Sequence, residues 1–313
     1  MRNAGRFPEA FEPFDFAWDV AANGYRWITT TSIEQPEEPR PPRRNAGENE
    51  KIIYELDLVR SRATRWLTDG VPSGGPRTVK RYAPLRETGL FRNFADTKTT
   101  EEAIAAFASR YGSLLGQQGS LVYHGDADES GRRVLVHGEE LQFWSDEIYR
   151  MGEVIELWQR IRREDRDWLS RVVRWRSCGD VVYEGLPRTD GQRRFGLIAD
   201  PMLSPSILKC LKHGDVLKAA DFYKQQVVDS YLEPHTSLLL LRDRGEQLRA
   251  RIVPKNLLGW LWLQLARAID GDRDYGRCPP CQKWLELGRG RRSNAVYCSA
   301  ACKQAAYRER HHP

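Results

Sequence analysis

The chain has 313 residues, of which 40% are hydrophobic and 29% charged, and its formal net charge at pH 7 is +6. This length and composition are typical of a globular protein with one large core or two domains, and they exclude a disordered chain. The sequence has no apolar run of about 18 residues and no basic start followed by an apolar segment. We therefore expect a soluble cytoplasmic protein without a membrane span.

The amino-acid composition of the N-terminal part changes at residue 35 and again at residue 51. Residues 1–34 are rich in aromatic side chains, whereas residues 35–50 combine proline and glycine with many charges. The second composition predicts a linker or loop. We expect residues 1–34 to pack on a core domain formed by residues 51–270. The predicted fold class is α+β, with a mainly helical core and short β-hairpins.

Two segments in the first half of the chain have helical periodicity. Residues Glu101–Tyr111 place apolar side chains at helical spacing, and Thr99 or Thr100 can cap the N-terminus. Residues 139–176 carry the longest helical pattern and predict two helices or one broken helix. We expect the three tryptophans of that pattern to lie in the core: Trp158, Trp168 and Trp175.

The second half of the core alternates short β-like runs with helical patterns. The elements predicted there, in chain order, are strands at 181–183 and 195–198, a helix at about 215–231, a hairpin formed by 237–241 and 248–253, and a helix at 256–269. The last helix is apolar on nearly every side, which predicts a buried element.

Four of the six cysteines lie close to the C-terminus, as two pairs separated by sixteen residues: Cys278, Cys281, Cys298 and Cys302. A C-x2-C turn directs two thiolates at one ion, and the spacer is long enough for a hairpin to bring in the second pair. The spacing predicts a four-cysteine zinc site. Four sulfur ligands fill a tetrahedral shell, so the zinc is expected to be structural. Cys178 and Cys210 are expected to be inert core thiols.

The residues around these cysteines predict a separate zinc-finger domain at 271–313. We expect a knuckle at Cys278–Cys281, a strand at 283–287, a turn at 288–292 and a returning strand that ends at Tyr297. A helix capped by Ser299 would follow, with Cys298 and Cys302 spaced so that both sulfurs reach one ion. This order of elements is that of a treble clef.

The zinc-finger domain also holds most of the excess positive charge. Its nine basic and four acidic residues leave a net charge of +5 out of the +6 of the whole chain. Clustered basic residues favour a polyanionic partner, since phosphate contacts dominate nucleic-acid affinity. The candidate nucleic-acid contacts are Arg289, Arg291, Arg292, Lys303, Gln304, Tyr307, Arg308 and Arg310.

The run Cys278-x2-Cys281-x2-Trp284, the basic loop, Tyr297-Cys298-Ser299 and the ending Tyr307-Arg308-x-Arg310 together resemble a known module. They are similar to the CGNR-type zinc finger of bacterial proteins regarded as DNA-binding regulators. In that family the finger follows a larger domain. Here Cys302-Lys303-Gln304-Ala305 stands where that family has its Cys-Gly-Asn-Arg signature. The resemblance implies a zinc-dependent transcription regulator that binds DNA, with residues 51–270 serving for sensing or dimerisation.

Two other functional classes remain open at this stage. The Tyr-Cys-Ser-x-x-Cys run also resembles half of a MYND finger, so the module could instead bind protein in a scaffold or a toxin or phage-defence pair, with Trp284, Tyr297 and Tyr307 as contacts. An enzyme is less favoured, because the sequence has no P-loop, GxSxG, HExxH or dinucleotide motif. His124 and His137 are interpreted as residues near the ends of a strand, turn and strand.

Overall fold

The computed structural model describes residues 18–30, 64–73, 75, 77–82, 87, 89–124, 133–185, 193–242, 248–287 and 296–311. The predicted linker at 35–50 lies outside the described residues, as does most of the aromatic N-terminal segment. The chain divides into two compact units. The first comprises Met1–Arg86, Thr97–Ile148 and Asn256–Leu258, and the second comprises Glu87–Asp96, Tyr149–Lys255 and Gly259–Pro313.

The described residues form an α+β fold, as predicted. Its strands are β1 (Trp18–Ala21), β2 (Arg26–Thr30), β3 (Thr64–Thr68), β4 (Val79–Tyr82), β5 (Ser120–His124), β6 (Val134–Glu140), β7 (Val173–Trp175), β8 (Val181–Glu184), β9 (Phe195–Ala199), β10 (Thr236–Arg242), β11 (Leu248–Pro254), β12 (Asp274–Arg277) and β13 (Trp284–Leu287). Its α-helices are α1 (Leu90–Ala95), α2 (Glu101–Tyr111), α3 (Leu141–Arg162), α4 (Arg166–Val172), α5 (Pro205–Cys210), α6 (Val216–His235), α7 (Leu257–Asp270) and α8 (Ala300–His311). None of these helices is both long and apolar enough to cross a membrane.

The first unit is built on an antiparallel sheet with the strand order β2-β3-β6-β5. Trp66, Val122 and Val136 form a buried cluster on this sheet, and Ile28 packs against it. Helix α2 begins where predicted, because the Thr100 side chain accepts a hydrogen bond from the Ala103 N–H.

The second unit places helix α6 on a three-stranded antiparallel sheet with the order β7-β8-β9. Tyr223 of α6 stacks on Tyr183 of β8 with ring centroids 4.2 Å apart. Gly196 of β9 is needed at this contact, since a Cβ atom there would lie 2.3 Å from the Tyr223 ring. Strands β10 and β11 pair as the predicted hairpin. Helix α7 is buried along almost its whole length, as its apolar sequence predicts.

Three predictions about the core need correction. The pattern at 139–176 gives helices α3 and α4, but Glu139 and Glu140 end strand β6, and residues 173–175 form strand β7 because they pair with β8. Among the three tryptophans, only Trp158 is buried; Trp168 and Trp175 are half-buried, and Arg160 and His213 respectively contact their rings.

The two remaining cysteines are also placed differently from the prediction. Cys178 lies in the turn between β7 and β8, and Cys210 ends the short helix α5. Both residues are exposed, so they are not core thiols. Isolated thiols on surface turns cannot be distinguished from buried ones by composition alone.

Candidate metal centre

The four C-terminal cysteines converge on one point. Their sulfur atoms all lie within 4.8 Å of one another, and the Sγ atoms of Cys281 and Cys302 each lie 3.4 Å from that of Cys298. Zinc–sulfur bonds of about 2.3 Å in a tetrahedron place the sulfurs roughly 3.8 Å apart. The cluster therefore has the size and the donor atoms required to hold one metal ion.

The first pair of ligands lies in a tight backbone knuckle. The Cys278 N–H donates to the Lys283 carbonyl at 2.9 Å, and the Gln282 N–H donates to the Cys278 carbonyl at 2.7 Å. Gln282 adopts a left-handed conformation with φ of 57°, and its side-chain amide donates to the Pro279 carbonyl. These bonds hold the chain between Cys278 and Cys281 in a turn that directs both sulfurs to the same side.

The second pair of ligands lies at the start of helix α8. Ser299 caps the helix as predicted, because its Oγ accepts a hydrogen bond from the Cys302 N–H at 3.2 Å. The Cys298 N–H donates to the Cys278 sulfur at 3.4 Å, which links the two halves of the cluster. Cys278 is fully buried, whereas Cys281 is exposed.

The electrostatics of the cluster imply that a metal ion held there would displace protons. Burial, followed by hydrogen bonds with the neighbouring thiols, raises the pKa of Cys298 to about 12. A divalent cation binds thiolates and displaces their protons, so metal affinity at this centre depends on pH.

Strands β12 and β13 form the hairpin that carries the knuckle. They pair antiparallel from Asp274 opposite Leu287 to Arg277 opposite Trp284. Leu285 is buried, and Arg273 just before the hairpin forms an ion pair with Glu286 at 2.9 Å. Of these two strands the sequence predicted only β13, and the predicted turn at 288–292 and most of the returning strand that ends at Tyr297 lie outside the described residues. Strand β12 has little β-propensity of its own, and its pairing with β13 accounts for its extended conformation.

The hairpin is fixed to helix α1 through Trp284. The Trp284 Nε1–H donates to the Asp96 carboxylate at 2.5 Å, and Arg277 forms an ion pair with the same carboxylate at 2.6 Å. Gly89 allows the close approach, since a Cβ atom at this position would lie 2.6 Å from the Trp284 Cβ atom. Trp284, a candidate contact for a protein partner, is therefore already engaged within the chain.

A buried arginine lies at the centre of this contact. The side chain of Arg92 is largely buried, and its guanidinium lies 4.9 Å from the ring centroids of both Tyr275 and Trp284 and 5.7 Å from that of Trp158. Burial lowers the pKa of Arg92 from its usual value. Cation–π attraction to the rings offsets part of this desolvation.

The link between α1 and the hairpin was not predicted. The only local signal was a single arginine inside the apolar run of α1, Leu90-Phe91-Arg92-Asn93-Phe94. A charged residue inside an apolar run indicates a buried partner. The rings of Trp158, Tyr275 and Trp284, which surround the Arg92 guanidinium, lie 66 to 192 residues further along the chain. Contacts between residues so far apart cannot be predicted from the spacing of neighbouring residues.

The predicted nucleic-acid contacts divide into two groups. Arg289, Arg291 and Arg292 lie outside the described residues. The other five lie on helix α8 and are exposed: Lys303, Gln304, Tyr307, Arg308 and Arg310. Arg310 is held by the protein, because its guanidinium contacts the Tyr297 hydroxyl at 3.3 Å and the Ala306 carbonyl at 3.1 Å.

The two histidines of the predicted strand, turn and strand have structural partners. Both lie on the hairpin formed by β5 and β6, as predicted. His124 is 2.8 Å from an Arg26 nitrogen. His137 contacts the Gly119 carbonyl through Nδ1 at 3.1 Å and the Ser73 hydroxyl through Nε2 at 3.4 Å. These contacts agree with a role in holding the turns next to the sheet.

Comparisons with protein-family models, with curated proteins and with solved structures found no match to this chain. The similarity to the CGNR-type finger therefore stays a prediction from the residues around the four cysteines.

Proposed function

We propose that Cys278, Cys281, Cys298 and Cys302 bind one structural zinc ion in a treble-clef finger. Four sulfur donors at near-tetrahedral spacing are the ligand set that zinc prefers in structural sites. The knuckle hairpin followed by a helix that carries the second cysteine pair supports the treble-clef assignment. A cytoplasmic location belongs to this proposal, because reduced thiols are required for metal binding.

The proposed binding surface is the outer face of helix α8. Cys302 and Ala306 mark its inner side, since Cys302 belongs to the cluster and Ala306 is buried. Gln304 follows Cys302 by two residues, and Arg308 follows Ala306 by two residues. Each therefore lies about 200° around the helix from its inner-side residue. Together with Tyr307, which lies about 60° from Gln304 on the side of Lys303, they form an exposed outer face, and Lys303 lies at its edge.

This outer face carries the proposed function, which is nucleic-acid binding with DNA as the favoured ligand. It offers cations for phosphates, an amide that can reach base edges and an aromatic ring that can stack. The acidic residue of the helix, Glu309, lies one residue beyond Arg308 and is turned toward the side of Cys302. We further propose that the protein is a bacterial transcription regulator, with the larger part of the chain serving for sensing or dimerisation.

The test is fluorescence anisotropy of the zinc-loaded protein with a labelled mixed-sequence duplex. We expect saturable binding that Arg308→Ala weakens about tenfold or more, given the usual 1–3 kcal/mol for one good contact. Lys212→Ala is the matched control, because Lys212 is an exposed cation outside α8. A duplex and a single strand of the same sequence distinguish the two forms of nucleic acid.

Absence of binding to either ligand at low salt would overturn the proposal. Equal losses in the α8 variant and in the Lys212 control would also contradict it, because the attraction would then come from overall charge.

The second function class considered from the sequence, a protein-binding finger, would use the exposed Tyr307 rather than Trp284, which contacts Asp96 and Arg92.

A further inference from the structure

The sheet formed by β7, β8 and β9 has one side that packs on helix α6 and a second side that carries exposed side chains. Tyr183 and Gly196 pair on the side of α6, where both contact Tyr223. Because side chains alternate along a strand, the neighbouring positions point to the other side. These positions are Arg174 of β7, Val182 and Glu184 of β8, and Phe195 and Leu197 of β9. We call this set the outer sheet face.

The outer sheet face exposes an aromatic ring and an aliphatic side chain. Phe195 is 54% and Leu197 is 42% exposed, and about 7 Å of strand separates them. Val182, which lies between Arg174 and Leu197, is buried, so the longer side chains around it form the exposed surface. Strand β9 is the last strand of this sheet, which places the ring at the sheet edge.

Two arginines surround the exposed ring of Phe195. The guanidinium of Arg176, one residue after β7, lies 4.7 Å from the Phe195 ring centroid. Arg174 and Arg176 each contact the Glu184 carboxylate at 3.2 Å. Their side chains are nevertheless 53% and 46% exposed, so both guanidinium groups remain open to solvent.

The strand pairing continues beyond β9 and adds a third arginine. The Gly185 N–H donates to the Arg194 carbonyl at 2.8 Å. The Arg194 side chain contacts Glu153 at 3.8 Å on the side of the sheet that faces α6. By the same alternation the preceding residue, Arg193, points outward, and it is exposed.

The charges of the outer sheet face favour an anionic partner. The acidic residues here are Glu184 and Asp180, whose carbonyl accepts the Arg176 N–H at 2.8 Å in the turn between β7 and β8. Three arginines against these two acids leave one net positive charge. Ion pairs this exposed are weak, so a phosphate can compete with Glu184 for the guanidinium groups. Each guanidinium has five N–H donors, so Arg174 and Arg176 also keep donors beyond those that contact Glu184.

We propose that the outer sheet face binds single-stranded nucleic acid. The Phe195 ring with the Arg176 guanidinium over it forms a flat platform, and unpaired bases stack on both aromatic rings and guanidinium planes. The bases of a duplex are stacked on one another and cannot use such a platform. The arginines around the ring can hold the phosphates on either side of a stacked base.

Other partners match this face less well. An apolar partner would bury three arginines, which requires the removal of water from charged groups. An acidic peptide would neutralise the arginines but offers no base to stack on the Phe195 ring. The inference goes beyond the function proposed for α8, because it uses no residue of that helix and concerns single strands.

The test is fluorescence anisotropy of the zinc-loaded chain with labelled single strands of about 12 nucleotides, a length within the usual site size. DNA and RNA of the same sequence should both bind, because stacking and phosphate contacts are common to them. Phe195→Ala should weaken binding at least about fivefold, whereas Phe195→Tyr, which keeps a ring, should retain it. The matched control is Leu238→Ala, since Leu238 is 72% exposed on β10.

The salt dependence tests the role of the arginines. Arg193→Ala should lower the magnitude of the logarithmic salt slope by about 0.7, the value for one phosphate contact to a single strand. Lys80→Ala, which removes an exposed cation of β4 in the first unit, should leave the slope unchanged. Thermal unfolding checks that each variant is folded, which is expected because the substituted side chains are exposed.

Absence of binding to either single strand at low salt would overturn the inference, whatever the result with a duplex. Equal affinity for a labelled acidic peptide would do the same, as would a loss in Phe195→Ala no larger than in Leu238→Ala. The variant Lys303→Ala/Arg308→Ala separates the two sites. Single-strand binding lost in that variant but kept in Phe195→Ala would overturn this inference and leave the proposed function of α8 intact. The reverse pattern, with duplex binding unaffected by the α8 variant, would support the inference and contradict the role of α8.

Discussion

Trp284 donates its indole N–H to the Asp96 carboxylate, and this bond helps to join the hairpin that carries the first two cysteines to the C-terminus of helix α1. Arg277 contacts the same carboxylate, and the Arg92 guanidinium lies over the Trp284 ring. The hairpin next to the cysteine cluster is therefore held by residues nearly 190 positions earlier in the chain. This arrangement predicts that β12 and β13 retain their position even when no metal is bound.

Substitution of Asp96 by alanine should loosen this contact. The change removes the acceptor of the Trp284 N–H and the partner of Arg277, and both Asp96 and Arg277 have side chains 43% exposed to solvent. Because solvent screens the charges, we expect a loss of about 1–2 kcal/mol in the free energy of unfolding. Urea denaturation followed by tryptophan fluorescence measures it. Asp19→Ala, which removes a more exposed pair with Arg81, should cost less than about 0.5 kcal/mol.

Gly89→Ala should destabilise the protein for a steric reason. The new methyl group would lie 2.6 Å from the Trp284 Cβ atom and 3.0 Å from its carbonyl oxygen, so the hairpin or α1 must shift. We expect a cost of about 1–3 kcal/mol. The control is Gly152→Ala inside helix α3, where the nearest atom lies 3.9 Å away. That change should stabilise the helix by about 0.5–1 kcal/mol, so melting temperatures that fall equally would contradict the account.

Cys302→Ser should abolish tight metal binding. The variant loses one of four sulfur donors and the link between helix α8 and the cluster. We expect the wild type to hold about one zinc ion per chain and the variant to hold almost none after dialysis, as measured by elemental analysis. Circular dichroism should show a small loss of helix. Cys210→Ser, which replaces an exposed thiol far along the chain from the cluster, should retain the metal.

The buried carboxyl of Glu139 should make stability depend on pH. It accepts hydrogen bonds from the N–H groups of Leu114, Leu115 and Gly116, yet burial raises its pKa from 4.5 to about 7. Between these two values the native state binds more protons than the unfolded state. Stability should therefore fall as pH rises from about 4.5 to about 7, by up to about 3 kcal/mol.

Glu139→Gln provides the comparison for this pH effect. The amide stays neutral at every pH, so the difference in unfolding free energy between the two proteins should change between pH 5 and pH 8. Urea denaturation at both pH values measures that difference. Parallel pH profiles for the wild type and the variant would show that Glu139 does not titrate in this range.

Several elements could be predicted from the sequence because their signals are local. Helix α2 carries both its cap at Thr100 and its apolar spacing within twelve residues. Helix α7 is buried because it is apolar on every side. The cysteine cluster follows from two short pairs, and Ser299 caps the helix that brings in the second pair. In each case the information lies within a few turns of chain.

The remaining features depend on contacts that are distant in sequence. Strand β12 forms because β13 pairs with it, and residues 173–175 leave a helical pattern because β8 pairs with them. The environment of Arg92 needs rings from three separate elements. The register of β10 and β11 depends on the turn type as well as on the number of residues that connect the two strands.

The salt dependence of duplex binding tests the central claim, that α8 contacts phosphates, most directly. The logarithm of the binding constant should fall linearly with the logarithm of salt concentration, with a slope of about −0.9 per phosphate contact. The variant Lys303→Ala/Arg308→Ala should lower the magnitude of that slope by roughly two contacts. Arg310 is left intact because it contacts Tyr297 and Ala306. An unchanged slope in the variant, or no binding by the wild type at about 50 mM salt, where phosphate contacts are strongest, would contradict the claim.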